Sequence, residues 1–277
     1  MRAIALMPLV LAVGACKQPP PEAPKELVDL SFYLFAEFEA DDDVVVAGMQ
    51  NLQDYLKGED LEADVKDRAF TLPILDGKNL GGLSIPQGVN AEDQIPIGLP
   101  GLSKHKMTDQ VDLFVEPNQV CIESATTVWA KREFLEGKSC FAKGDCDRLD
   151  IVQEVRKENI LAKVWYDQYK SYRRVILDNG DEAFVARSWI EEQYPADGGK
   201  NSWDQLFHLD VYLPGKGGDT LRYFAMWSSV VLGGVNDDSY ANLVRDGVDE
   251  SMIFSDEFIA GKIDSCKNDR NADKPDR

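Results

Sequence analysis

The chain has little of what most catalytic sites need. His105 and His208 are the only histidines in 277 residues, so the commonest general base and neutral metal ligand is scarce. His105 lies in Ser103-Lys104-His105-Lys106, a loop-like stretch, and His208 lies in a strand pattern beside acids. Neither accompanies a G-x-S-x-G elbow or another nucleophile motif. His208 therefore reads as a sheet histidine. Gly215-Lys216-Gly217-Gly218 joins two strand patterns, whereas a phosphate loop joins a strand to a helix. It reads as a turn. No C-x2-C pair offers zinc ligands. Asp269-Arg270-Asn271-Ala272-Asp273 lacks the glycine and closing glutamate of a calcium loop. Glu136 and Glu191-Glu192 could supply paired carboxylates, but such pairs arise by chance among 49 acids. No catalytic residue, metal or cofactor is expected. Basic residues are the minority, 30 against 49 acidic, for a net charge of −19. Nucleic acid is excluded as a partner because phosphate binding needs a basic footprint. No internal repeat is evident.

What the chain does have begins at its N-terminus. Met1-Arg2 is followed by an uncharged run from Ala3 to Ala15, with the positive start, apolar middle and small-residue end of a signal peptide. The run falls short of the roughly 20 apolar residues of a spanning helix. It ends Val13-Gly14-Ala15-Cys16, which resembles the bacterial lipobox: an aliphatic residue, two small residues and a cysteine. The resemblance implies cleavage before Cys16, lipid on that cysteine, and a membrane held through that lipid. Lys17, where families with outer-membrane sorting use Asp for retention, implies the outer membrane, facing the periplasm or the cell surface. Gln18-Pro19-Pro20-Pro21-Glu22-Ala23-Pro24 follows as an extended tether, rising about 3.1 Å per residue.

Four cysteines remain: Cys121, Cys140, Cys146 and Cys266. An even set outside the cytoplasm suggests two disulfides with three possible connectivities. The favoured pairing is Cys140–Cys146, closing a short loop that Gly144 can turn, with Cys121–Cys266.

The expected fold class is α+β: an N-terminal helical hairpin, a long antiparallel β-meander, and a C-terminal helix packed on the sheet. The expected units are a signal peptide (1–15), lipidated cysteine and tether (16–24), helical hairpin (25–66), α+β domain (67–266) and disordered tail (267–277). In the hairpin, Leu27, Leu30, Leu34 and Phe38 recur at helical spacing, as do Val45, Met49, Leu52 and Leu56. Asp41-Asp42-Asp43 supplies a cap and first-turn acids for the second helix. Residues 76–103 are rich in Gly and Pro and read as an irregular segment. Strand patterns run over 149–156, 161–177, 183–193, 204–213 and 220–232. Asn179-Gly180 predicts a type I′ turn that sets Val175 opposite Phe184 and Tyr172 opposite Arg187. In the next hairpin, Leu213, Val211, Leu209 and Phe207 should face Leu221, Tyr223, Ala225 and Trp227 on an apolar face. Tyr212, Asp210 and His208 should face Arg222, Phe224 and Met226 on a mixed one. Asp237-Asp238-Ser239 then caps a helix with the stripe Tyr240, Leu243, Val244, Val248, Met252 and Ile259.

The aromatic and cationic residues of the sheet suggest a binding set: Trp165, Arg187, Trp189, Arg222 and Trp227, an aromatic wall with a cationic anchor. Cross-strand stacking and cation–π pairing compete with that reading. The element order over about 110–261 is similar to START-like helix-grip domains, where a helix closes a curved sheet over an apolar cavity. That resemblance implies a hydrophobic small molecule or lipid as ligand, without catalysis. The alternative is a structural or protein-interaction lipoprotein of the cell envelope with a solid core. The two differ in one quantity, the volume between sheet and final helix.

Overall fold

A computed structural model describes residues 22–159, 162–231 and 235–263. The expected signal peptide, Cys16, most of the proline tether, Cys266 and the tail lie outside the described residues.

The helices are α1 (Leu27–Ala36), α2 (Asp42–Leu56), α3 (Val65–Arg68), α4 (Met107–Val115), α5 (Lys138–Lys143) and α6 (Asp237–Ile259). The strands are β1 (Phe70–Thr71), β2 (Ile95–Ser103), β3 (Thr127–Glu136), β4 (Arg148–Glu158), β5 (Lys163–Ile176), β6 (Glu182–Trp189), β7 (Tyr194–Pro195), β8 (Ser202–Pro214) and β9 (Thr220–Val231). They form one antiparallel sheet in the order β1-β2-β9-β8-β6-β5-β4-β3, with β7 beside β8. The fold is thus α+β, with an N-terminal helical hairpin and a long C-terminal helix, as the sequence pattern predicts. Among the described residues no helix is long and apolar enough to cross a membrane.

The hairpin covers one face of the sheet. Leu30, Leu34, Phe35 and Phe38 of α1 and its exit, with Val45, Met49 and Leu52 of α2, pack against Val185, Phe207, Leu209, Val211, Tyr223 and Trp227. Period-2 alternation puts those strand residues on one side. The β8–β9 register is the predicted one, from Leu213 opposite Leu221 to Phe207 opposite Trp227. At the start of α2, Asp42 and Asp43 stand in the first turn, where the helix dipole favours acids. Asp42 also pairs with Arg173 of β5, tying the hairpin to the sheet.

Two sequence readings need correction. The β5–β6 register is displaced by one residue: Val175 faces Ala183, and Tyr172 faces Ala186. Type I′ requires positive φ at both loop residues, but Gly180 alone takes it here (φ 86°), and no non-glycine residue does among those described. The loop is Asp178-Asn179-Gly180, closed by Leu177 N–H donating to Asp181 O and Gly180 N–H donating to Leu177 O. Three loop residues instead of two move every β6 side chain to the opposite face. Phe184 therefore joins Tyr172 and Phe114, away from the hairpin.

The second correction concerns 76–103. Its end is strand β2, paired with β9 from Ile95 opposite Ser228 to Ser103 opposite Thr220. Pro96 and Pro100 are tolerated because their carbonyls point away from β9, taking hydrogen bonds from the Leu72 N–H and the Arg68 guanidinium. Nitrogen and carbonyl of one strand residue point the same way, so each proline removes a donor only from the lightly paired edge.

Candidate functional site

The sheet face turned away from the hairpin is the mixed one, and α6 crosses it. The helix begins at Asn236, whose side chain accepts from Ser239 N–H at 2.8 Å. It is fastened around its edges. Asp249 pairs with Arg68 at 2.6 Å and Asp256 with Arg222 at 2.8 Å. Glu250 accepts from Ala125 N–H at 2.7 Å, and the Tyr240 hydroxyl meets that of Ser228 at 2.9 Å. Yet Tyr240 is the only fully buried residue of this 23-residue helix. The apolar stripe does not rest on the sheet throughout. Leu243, Val244 and Val248 line a cavity of about 430 Å³ between them. Ile259, at the far end, packs with the core around Phe114 and Phe141.

The cavity has an apolar and aromatic wall and a polar floor. The wall includes Phe114, Ile122, Val164, Tyr166, Trp203, Leu206, Phe224 and Met226. Tyr166 stacks on Trp203 with centroids 5.4 Å apart. The floor carries Arg132, Gln153, Gln168, Lys170 and His208. Arg132 is held by neighbours, donating to Leu113 O and Phe114 O at 2.9 Å, to Gln153 Oε1 at 2.8 Å and to the Tyr172 hydroxyl at 3.1 Å. Lys170 forms an ion pair with Asp210, whose side chain is 1% exposed. Burial would lower the Lys170 ammonium, but Asp210, with Tyr172 and Tyr212, outweighs it and leaves the group above the ordinary lysine value. Burial likewise lifts the Asp210 carboxyl, with Lys170 opposing. Burial, then the charges of Lys170 and Lys157, hold the His208 imidazole well below its usual value, so it is neutral near pH 7. His208 Nε2 is buried without a hydrogen-bond partner. Among the described residues no group of His, Cys, Asp and Glu is arranged to hold a metal ion.

The five residues of the expected binding set lie elsewhere. Trp227 is fully buried under the hairpin, between Phe32 and Phe35, and donates to Pro73 O at 3.0 Å. Arg187 points to the same side, donating to Gly81 O at 2.9 Å and pairing with Glu39 at 3.2 Å. Burial pushes its guanidinium down to about 10, with Glu39 opposing. Trp189 stacks on Tyr169 at 5.8 Å. Trp165 precedes cavity-lining Tyr166 and so takes the opposite face, near Trp129 and the Arg156 guanidinium. Arg222 is on the cavity side of the sheet but fastens α6, bonding Gln110 at 2.6 Å and Met252 O at 3.1 Å. The structure thus does not bring these five together, and none of them lines the cavity.

The residues that do line it were visible only as a pattern. His208, Asp210 and Tyr212 alternate along β8 on the mixed face. Polar side chains at that period in a long strand signal a face that is covered but not filled with hydrocarbon. Cys140 and Cys146 form the expected disulfide, 5.3 Å between Cα atoms. Cys121 is also disulfide-bonded; its expected partner, Cys266, lies outside the described residues.

The overall shape has counterparts among solved structures. The chain is similar to a STAR-related lipid transfer protein from Xanthomonas axonopodis, at 10% identity over 69% of this chain and 92% of that one, with a TM-score of 0.44. It is similar to the lipid transfer and protein localization domain of human StarD13, at 10% identity over 76% of this chain and 94% of that one, TM-score 0.39. A Thermus thermophilus protein, TTHA0849, matches at 13% identity over 60% and 97%, TM-score 0.40. No protein-family profile and no curated protein sequence matches the chain. At such distances the likeness is one of fold and leaves the content of the cavity to be argued from its own residues.

Proposed function

We propose that this chain binds a hydrophobic small molecule or lipid in the cavity beneath α6, and performs no chemistry on it. One observation carries the reading: about 430 Å³ of space separates the helix stripe from the sheet. A structural protein would close that gap, because interiors pack to crystal-like density and each lost contact costs dispersion energy. The volume falls in the range of small-molecule sites, roughly 300–1,000 Å³, and the lining has their composition, apolar and aromatic with few polar groups. Native mass spectrometry of protein extracted from its own cells tests this. A retained non-covalent adduct, absent after denaturation, is expected. Adduct-free protein that also ignores hydrophobic fluorescent dyes would refute the binding reading and restore the structural or protein-interaction lipoprotein.

The same proposal places the domain at a membrane of the cell envelope, anchored by lipid on Cys16 and facing the periplasm or cell surface. The lipobox-like end of residues 1–16 and the proline tether support this reading. The net charge of −19 suits a domain standing off an anionic surface. Cys16→Ala should abolish incorporation of labelled fatty acid; persistent labelling would remove the anchor from the proposal.

A further inference from the structure

We infer that the cavity selects an uncharged alcohol: an apolar molecule whose hydroxyl hydrogen-bonds His208, with Ser188 and Asp210 beside it. The inference rests on the binding reading above and adds the group that the occupant must carry.

The sheet register assembles the subsite. Ser188 stands opposite Lys170 in the β5–β6 ladder and opposite His208 in the β6–β8 ladder. Lys170, Ser188 and His208 therefore form one row, and directly opposed residues share a face. Asp210 is the next residue on that face of β8. Lys170 and His208 line the cavity, with Ser188 between them in the row. Ser188 is 0% exposed. Its Oγ, His208 Nε2 and the Asp210 carboxylate oxygens are buried without a hydrogen-bond partner, Asp210 keeping its ion pair with Lys170. Buried polar atoms are paired in the great majority of cases, and an unpaired one forfeits its hydration. Several such atoms in adjacent positions at the rim of a cavity mark a place where the partner comes from outside the chain.

The charges choose the headgroup. Lys170 is already neutralised by Asp210, and the imidazole is neutral. A carboxylate or phosphate at His208 would face the Asp210 carboxylate with no unbalanced cation in the row. An ammonium would face Lys170. A hydroxyl carries no charge, and it both donates and accepts. It can therefore match either imidazole tautomer and the Ser188 hydroxyl in either role.

The test uses the full chain and displacement of the neutral dye N-phenylnaphthylamine by dodecanol, dodecanoate, dodecylammonium and dodecane. Dodecanol should displace at about tenfold lower concentration than the other three. His208→Phe, which keeps a ring of similar volume, and Ser188→Ala, which removes a hydroxyl that has no partner, should bring the alcohol-to-alkane ratio towards one. Equal displacement by all four probes would overturn the alcohol subsite and leave the cavity reading standing. An alcohol preference surviving in both variants would also overturn it. Failure of the dye and every probe to bind would overturn both readings.

Discussion

Removing the Asp210 carboxylate tests the electrostatic logic of the cavity floor. Asp210 is 1% exposed and the Lys170 side chain 13%. In Asp210→Ala the ammonium keeps only the Tyr172 ring, 5.0 Å away, and neutral groups around it, with the Arg132 charge nearby opposing it. Breaking a buried pair from one side costs about 3–5 kcal/mol, because the remaining charge has neither water nor partner. The repulsion from Arg132 puts Asp210→Ala at the upper end. Lys170→Met should cost less. Burial already lifts the Asp210 carboxyl, so the orphaned acid can take up a proton and shed its charge. Lys170→Met combined with Asp210→Leu should return to within about 1 kcal/mol of the parent, since an apolar pair of similar volume replaces both ions. The pH dependence of Asp210→Ala has a definite sign. With its partner gone, Lys170 titrates below its unfolded value in the folded state. The unfolded chain then binds more protons between the two values, so the variant regains stability as the pH rises through that window. Urea unfolding at pH near 7 and near 9, extrapolated to water, measures all of this. A cost below about 1 kcal/mol for Asp210→Ala, or a double variant as unstable as that single one, would refute the reasoning.

Three further outcomes follow from particular contacts. His208 titrates well below its ordinary value in the fold, while the unfolded ring titrates near about 6.5. Stability should therefore be full above that pH and fall by at most about 1.4 kcal/mol per pH unit below it; melts of His208→Gln should lose that part of the slope. Gly81 has φ 56°, and a Cβ there would lie 2.6 Å from Arg187 Nη1 and 2.7 Å from Ala36 O. Gly81→Ala should cost roughly 1–3 kcal/mol in denaturant unfolding, and an unchanged midpoint would contradict the close approach. Replacing both Cys140 and Cys146 by Ser should cost about 2 kcal/mol, the loop-closure entropy of so short a loop. A smaller change in unfolding free energy would mean that helix α5 holds the loop closed unaided.

Much of the fold was legible because it obeys local rules. Apolar period 3.6 gave α1, α2 and α6, and period 2 gave β4, β5, β6, β8 and β9. The β8–β9 pairing was readable residue by residue, since a one-residue slip would have turned Trp227 and Phe207 to the wrong side. The β5–β6 hairpin shows the limit. Asn179-Gly180 is compatible with a two- or a three-residue loop, and which forms is settled by the neighbours. Only the three-residue loop sends Phe184 to Phe114 and Ala183 and Val185 to the hairpin. Strand β2 was illegible for a related reason. Its prolines and glycines read as loop, and only a sheet edge with outward-turned carbonyls accommodates them.

The sequence by itself determined the α+β class, the two amphipathic helical layers, the Cys140–Cys146 closure and the alternation of an apolar with a mixed face. It also carries the lipobox-like N-terminus from which the address is inferred. Tertiary structure decided which face became a site. Trp165, Arg187, Trp189 and Trp227 carry the strongest aromatic and cationic signal, but the strand period turns them away from the cavity, three of them to the side where the hairpin packs. His208, Lys170, Ser188 and Asp210 come from strands far apart in the chain and meet because register aligns them under α6. Whether a helix with a good apolar stripe fills the space beneath it or arches over it depends on where its edges are fastened. Arg68, Arg222, Ser228 and the Ala125 amide fix those edges, and no local pattern in the helix records their positions.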